Sequence, residues 1–552
     1  MYLTETRSRT GQKTYRCVLL RESYREGDKV KNRTIANLSH CKANEIAAIR
    51  LALKHKEDLS VLGSVSEEVQ LCEGASVGAV WTAYAVARRL GMEKALGTDR
   101  AGRLALWQVL ARVIDQGSRL SAVRLAQTHA ACDVLGLERG FDENDLYANL
   151  HWLAAHQEAI ERRLFRARRG RHKPQLFLYD VTSSYLEGTE NELAAFGYNR
   201  DGKRGKKQIV IGLLCDEAGE PVSVEVFRGN TQDLETFGAQ VRKVAERFGC
   251  ERVTFVGDRG MIKSGQIEDL SRAGFHYITA ITKPQIEALL RAGVLQMELF
   301  DETICEVQSE GVRYVVRRNA QRAADLAATR RDKHAAAERL VKKQNVYLAA
   351  HARARVATAC KAVRAKIERL RIEPWLRVQA EGRHLHLHVD EGALAESSRL
   401  DGCYVIKTDL PAEVADKQIV HDRYKDLAEV ERVFRTCKTV HLEVRPVYVR
   451  TEQSTRGHVL VVMLAYLIVR ELRRAWAHLD VTVEEGLGQL ATLSTMEVVV
   501  ARYKTRVHKI PRPRPSSARL LRAAGVRLPG ALPNRGTRVV TRRTLPSRRS
   551  KL

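Results

Sequence analysis

The chain has 552 residues, too many for one ordinary core, and 44% of them are hydrophobic, enough to bury several. It carries 93 Lys and Arg against 66 Asp and Glu, a formal charge of +27, so a polyanion is the expected partner and nucleic acid the first candidate. Ten cysteines are scattered singly with no C-x-x-C pair, which argues against a zinc site or a dithiol redox motif. With no signal peptide in evidence, they read as reduced thiols of a cytoplasmic protein.

Residues 1 to about 40 alternate and carry turn formers, which predicts a β-hairpin turning at Gly27 and Asp28, and with the linker that follows it fills 1–72. Residues 73–172 have helical periodicity. Within them, "RLALWQVLARVIDQGSRLSAVRLA" holds two helical stretches around "QGSR", either a helix-turn-helix or an ordinary helical hairpin. Residues 173–283 then read strand, strand, strand, helix, strand, helix, strand, a pattern for a mixed sheet with packed helices. Residues 284–400 interrupt it with a hairpin, "TICEVQSEGVRYVVRRN", two long charged Ala-rich helices and a return to strands, read as a β-rich insertion with a helical arm. Residues 401–475 resume with a strand, "CYVIKTD", and a helix from about Asp422 to Thr439. The apolar run Val459–Val469 is too short to span a bilayer and reads as a buried helix, so no membrane partner is expected. Residues 476–552 are a helical segment and a basic tail. From Ala501 onward there are 16 Lys or Arg and no Asp or Glu, which fits a solvated end or loose phosphate contact.

Two stretches raise a chemical question. "LFLYDVTSS" and "TFVGDRGM" each run apolar β-formers into an acid, Asp180 and Asp258, and a buried carboxylate is costly unless its charge is used. A third acid lies on the helix "RYKDLAEVERVFRTCK". At about 100° per residue, Tyr424 falls near +20°, Arg435 near +40° and Lys438 near −20° of Glu431, so one face carries all four. Carboxylates are hard oxygen ligands suited to Mg²⁺, and two such ions about 3.5–4 Å apart suit phosphodiester chemistry.

These residues resemble the insertion-sequence transposases of the Asp-Asp-Glu class, in the branch with a Y-x2-R-x3-E-x6-K signature. Tyr424, Glu431 and Lys438 stand at its spacing, and "YDVTS", "FRGNTQD" and "VGDRGM" resemble the blocks around its first two acids. Arg445-Pro446 and Gly457-His458, before an apolar helix, are also similar. The likeness spans about Gln175 to Arg470. One position departs: Leu427 stands where the signature has Arg, a DNA contact in the family, and Arg435 shares the face.

The resemblance implies an RNase H-like mixed α/β core over 173–283 and 401–475, its first and fourth strands parallel neighbours. Asp180, Asp258 and Glu431 would be the catalytic and metal-binding residues. They would hold two Mg²⁺ ions, with Mn²⁺ able to substitute. Gly257 and Gly260 would leave room for the turn after Asp258. Tyr424, Arg435 and Lys438 would contact double-stranded DNA, the helical 73–172 segment would bind it, and a homodimer would pair two element ends in a nucleoid-associated complex. The loop "NRDGKRGKKQ", with Arg200, Lys203, Arg204, Lys206 and Lys207, either follows phosphates or is plainly solvated. Trp375 either stacks a displaced base or is core. His421, His441 and His458 are not needed as ligands. The rival readings are a catalytically silent DNA-binding protein descended from a transposase and a metal-dependent structure-specific nuclease.

Overall fold

Three strands, β1 (Tyr2–Thr10), β2 (Lys13–Glu26) and β3 (Lys29–Asn37), form an antiparallel meander, and Gly27-Asp28 makes the second turn as the alternation predicts. The hairpin expected from the sequence therefore gains a third strand. These coordinates belong to a computed structural model, which describes all residues except 11–12, 58–68, 171–172, 189, 204, 260, 440, 447, 501–504 and 543–552. Gly260 and Arg204, both singled out above, lie outside the described residues. Helix α1 (Ala43–Lys54) and strand β4 (Val69–Ser76) follow. The chain divides into two compact units, one of Met1–Ala75, Ser494–Arg512 and Pro529–Asn534, the other of Ser76–Leu493, Pro513–Leu528 and the residues from Arg535 onward.

The second unit opens with a helical layer: α2 (Gly78–Arg89), α3 (Met92–Leu96), α4 (Arg100–Ile114), α5 (Arg119–Thr128), α6 (Ala131–Leu135) and α7 (Glu143–Arg169). Asp142 caps α7, its carboxylate accepting from the amides of Asn144 and Asp145 at 2.9 and 3.0 Å. In α4, fully buried Trp107 donates Nε1–H to the Ala122 carbonyl at 3.2 Å and so ties α4 to α5. Only Gln127 and Thr128 of α5 are fully exposed.

The sheet comes next: β5 (Leu176–Tyr185), β6 (Gln208–Asp216), β7 (Pro221–Arg228), α8 (Asp233–Arg242), β8 (Thr254–Gly257), α9 (Ser264–Arg272) and β9 (His276–Ala280), in the predicted order. β5 runs parallel to β8, β8 parallel to β9, and β6 and β7 add antiparallel on the other side. Strict alternation divides β5. Phe177, Tyr179 and Val181 point into a core with Phe237, Phe255 and Phe275, while Asp180 points to the opposite face.

After α10 (Lys283–Arg291), strands β10 (Cys305–Ser309) and β11 (Val312–Arg318) do not open a separate insertion as expected. β11 pairs with β14 (Cys403–Thr408), and β14 with β9, so the hairpin extends the sheet to eight strands in the order β10-β11-β14-β9-β8-β5-β6-β7. Between β11 and β14 lie α11 (Ala320–Ala350), α12 (Val356–Leu370), the hairpin β12 (Leu376–Glu381) and β13 (His384–Val389), and α13 (Glu391–Ser398). This module combines helices with one hairpin, and it has its own core around Val341, Val363, Ile367 and Trp375.

The chain returns through α14 (Lys417–Lys425), α15 (Leu427–Lys438) and α16 (Glu452–Trp476), whose Val459–Val469 stretch is buried throughout. Gly457 brings α16 hard against α7: a Cβ there would lie 2.2 Å from the Leu150 carbonyl oxygen. Helix α17 (Val483–Ala491) completes this layer. The basic tail is not a plain solvated end. Strands β15 (Ser494–Val500) and β16 (Thr505–Lys509) join β4 in a three-stranded sheet of the first unit, and α18 (Pro515–Ala523) packs in the second. Among the described residues no helix is long and apolar enough to cross a membrane, and all ten cysteines are free thiols.

Candidate active site

Asp180 is the fifth residue of β5, not its last, because β5 continues to Tyr185 against β6. On its other side the parallel pairing with β8 stops at Tyr179–Gly257. Asp180 thus stands just past the end of β8, beside the point where Asp258 leaves that strand. Val181 donates its amide to Asp180 Oδ1 at 2.8 Å. Burial pushes the Asp180 carboxyl up to about 7, and the charges of Asp258 and Glu431 add to the rise, while that hydrogen bond and Arg200 oppose it. The other two acids therefore both act on Asp180. Asp258 is exposed and accepts the Arg259 amide at 2.7 Å and the Tyr424 hydroxyl at 3.2 Å.

The helix that carries Glu431 is divided. Asp426 closes α14 with its amide shared between the Asp422 and Arg423 carbonyls, a tightened turn, and α15 starts at Leu427. The single helix expected from Asp422 to Thr439 is thus two. Its face survives in part. Tyr424 reaches Asp258, Glu431 acts on Asp180, and Lys438 Nζ donates to Asp201 Oδ1 at 2.7 Å. Arg435 and Glu431 are exposed and make no hydrogen bond or ion pair with the described residues. Val430, Val433 and Phe434 pack the other side of α15 against the sheet. There Leu213, opposite Asp180 in the ladder, shares a small apolar cavity with Val433, Phe434 and Val459. The approach is close at Gly219 in the β6–β7 turn, which has φ +66°; a Cβ there would sit 2.4 Å from Glu429 Cβ. Leu427, at the departed signature position, is buried and packs rather than reaching out.

The basic loop beside β5 is tied down. Arg200 Nη2 donates to both carboxylate oxygens of Asp233 at 2.5 and 2.6 Å, and the Arg200 amide donates to Ser183 Oγ at 2.9 Å. Lys206 pairs with Glu187 at 2.9 Å, and the Lys207 carbonyl accepts from Leu186. Asp201 is a residue the sequence reading passed over. It is the lone acid in "NRDGKRGKKQ", a signal that was available. His421 is buried between Tyr404, whose hydroxyl is 2.7 Å from Nε2, and Asp422, 3.1 Å from Nδ1. His441 pairs with Glu484 and His458 is buried, so none of the three stands with the acids. Trp375 is buried in the insertion's core against His334.

Residues 171–468 match the family described as "Transposase DDE domain", and residues 3–61 match "IS1634 family transposase, N-terminal domain". The chain belongs to the DDE transposase family. A search of curated proteins finds no match for this transposase. Among solved structures it is similar to the piggyBac transposase of a synaptic complex with hairpin DNA, at 7% identity over 81% of this chain and 75% of that one. The TM-score is 0.35, too low to carry an argument.

The donor set fits a divalent cation by its chemistry. Three carboxylates offer hard oxygens, and the burial that lifts Asp180, with the smaller repulsion from Asp258 and Glu431, is what a nearby cation would offset. The transposase does not hold them as a closed cage: among the described residues no group of three His, Cys, Asp or Glu is gathered closely enough to chelate one ion. Glu431, exposed and unpaired, is the member free to change rotamer.

Proposed function

We propose that the transposase binds the terminal inverted repeats of an insertion sequence and cuts and rejoins DNA at Asp180, Asp258 and Glu431, on an RNase H-like core. The observation that carries this reading is the convergence of Asp180 and Asp258 on adjacent parallel strands, with Glu431 close enough to raise the Asp180 carboxyl. When bound, a pair of Mg²⁺ ions, or Mn²⁺ in their place, supplies Lewis-acid activation of a water or a 3′-hydroxyl and neutralises charge on the phosphodiester. Asp180, Asp258 and Glu431 would be the residues that hold them.

The remaining groups position. The Tyr424 hydroxyl donates to Asp258 and fixes that carboxylate's direction. Lys438, Arg435, Lys206 and Lys207 supply positive charge for the DNA backbone, and phosphate would replace Asp201 as the partner of Lys438. The N-terminal region would contact the element ends, and a homodimer would pair two of them.

The test is cleavage of the native element ends with and without Mg²⁺ or Mn²⁺. Asp180→Ala, Asp258→Ala and Glu431→Ala should each abolish cleavage and leave end binding largely intact. Full activity in any one of them refutes its assignment. Short inverted repeats flanking the reading frame would separate transposition from a structure-specific nuclease.

A further inference from the structure

The turn between α4 and α5, residues 115–118, buries two arginines: Arg112 and Arg119 are each only 4% exposed. A guanidinium keeps its charge in proteins, so burying it calls for a counter-charge. Arg112 donates to the carbonyls of Gln116 and Gly117, and its Nε–H has no partner. Arg119 donates to Gln108 Oε1 at 2.6 Å. Neither makes an ion pair among the described residues. Burial pulls Arg112 down to about 10 and Arg119 to about 9, the latter lowered further by Arg112 beside it.

Both guanidiniums line one cavity, with Ser118 from the same turn, Glu443 and Arg445 from the stretch that joins α15 to α16, and His458 from α16. Its interior admits the centre of a water-sized sphere over about 20 Å³, room for one small atom or ion and too little for a phosphate. Glu443 is already engaged by Arg445, with Nε–H donating to Oε1 at 2.6 Å. Asp115, whose charge also reaches Arg112, accepts from Ser121. Arg445 pairs with Glu443 and also faces Glu187, so Arg112 and Arg119 are left to share Asp115, one positive charge over. His458 does not add to it: burial, then Arg112 and Arg119, keep this imidazole neutral, and its Nε2 is buried without a partner.

We infer that this cavity is a binding site for one monovalent anion of halide size, such as chloride, held between the Arg112–Arg119 turn and the segment that follows the Glu431 helix. The surplus charge sets the sign of the ligand, the volume sets its size, and the unpartnered Arg112 Nε–H supplies a donor. The site is independent of the catalytic assignment. It would act as an internal clamp, joining the helical layer to the stretch between α15 and α16.

Two measurements on the full-length protein test it. Crystals of the wild type soaked in sodium bromide should give an anomalous peak between Arg112 and Arg119; a map without that peak overturns the inference. In solution, exchanging gluconate for chloride at fixed ionic strength should raise the Tm saturably, by about 2–4 °C. Arg119→Gln, which removes the surplus charge, should lose that rise. An equal rise in Arg119→Gln overturns the inference, because the halide would then act elsewhere. If Arg119→Gln does not fold, the bromide map of the wild type decides alone.

Discussion

Replacing Tyr424 by Phe removes one atom from the candidate site, the hydroxyl that donates to Asp258 at 3.2 Å. Tyr424 is half-buried, and burial together with the Asp258 charge pushes its phenol well above the ordinary range, so the hydroxyl remains a proton donor at any working pH. Groups that orient a metal-binding carboxylate are typically worth about 10–100-fold in metal affinity or activity. The bond is long for O–H···O and Asp258 is exposed, so the effect belongs at the lower end, about tenfold or about 1.4 kcal/mol. Cleavage of a labelled element end, titrated with Mg²⁺, reads it directly. Tyr424→Phe should need about tenfold more Mg²⁺ for half-maximal rate, with the thermal midpoint unchanged because no packing atom is lost. A Mg²⁺ curve superimposable on the wild type would refute the positioning role.

Asp201→Asn should release Lys438 for DNA, tightening end binding and steepening the salt dependence of affinity by about one phosphate contact, read by fluorescence anisotropy across a salt series; an unchanged slope counts against a phosphate role for Lys438. Gly457→Ala puts a methyl 2.2 Å from the Leu150 carbonyl, so α7 and α16 must part; the denaturation midpoint should fall by the equivalent of about 1–3 kcal/mol. Stability should also fall as pH drops below 6.5, against an opposing slope of one group from Asp180, whose raised carboxyl takes up its proton first in the folded chain. Burial holds His458 well under that value, and His129, His421 and His441 shift the same way, so the unfolded chain takes up protons that the folded one refuses. Each such group contributes up to about 1.4 kcal/mol per pH unit below 6.5. Thermal scans from pH 7.5 to 5.5 check this, and His458→Gln should flatten the profile.

The readable part of the sequence was the part written in local periodicity. Runs of apolar β-formers leading into Asp180 and Asp258 marked those strands, and the stretch from Gln175 to Ala280 folds in the order its pattern predicts. What escaped depends on partners far away. Whether the 305–318 hairpin stands alone or joins the sheet is decided by β14, about 90 residues later, and no local pattern encodes that pairing. The strands of the basic tail are likewise made strands by β4, at the other end of the chain. The break at Asp426 was hidden because its residues are acceptable in a continuous helix; the tightened turn is a matter of hydrogen bonding. Asp201 was overlooked because a lone acid among cations reads as solvation until Lys438 is found against it.

The neck of the insertion has a consequence for how this chain can change. The chain leaves the sheet at Arg318 and re-enters at Cys403, and these two residues are ladder partners; just beyond them the Asn319 amide donates to the Gly402 carbonyl at 2.8 Å. The helices and hairpin between hang from this doorway with their own hydrophobic interior, while near it Leu400 packs with Ile281 and Phe300 and Lys283 Nζ donates to the Ser397 carbonyl. Such a cassette can grow, shrink or be exchanged while β14 keeps its register, and β14 is the strand that leads to the helices bearing Tyr424 and Glu431. Relatives that differ mainly in the bulk hung on this doorway can therefore keep the same chemistry.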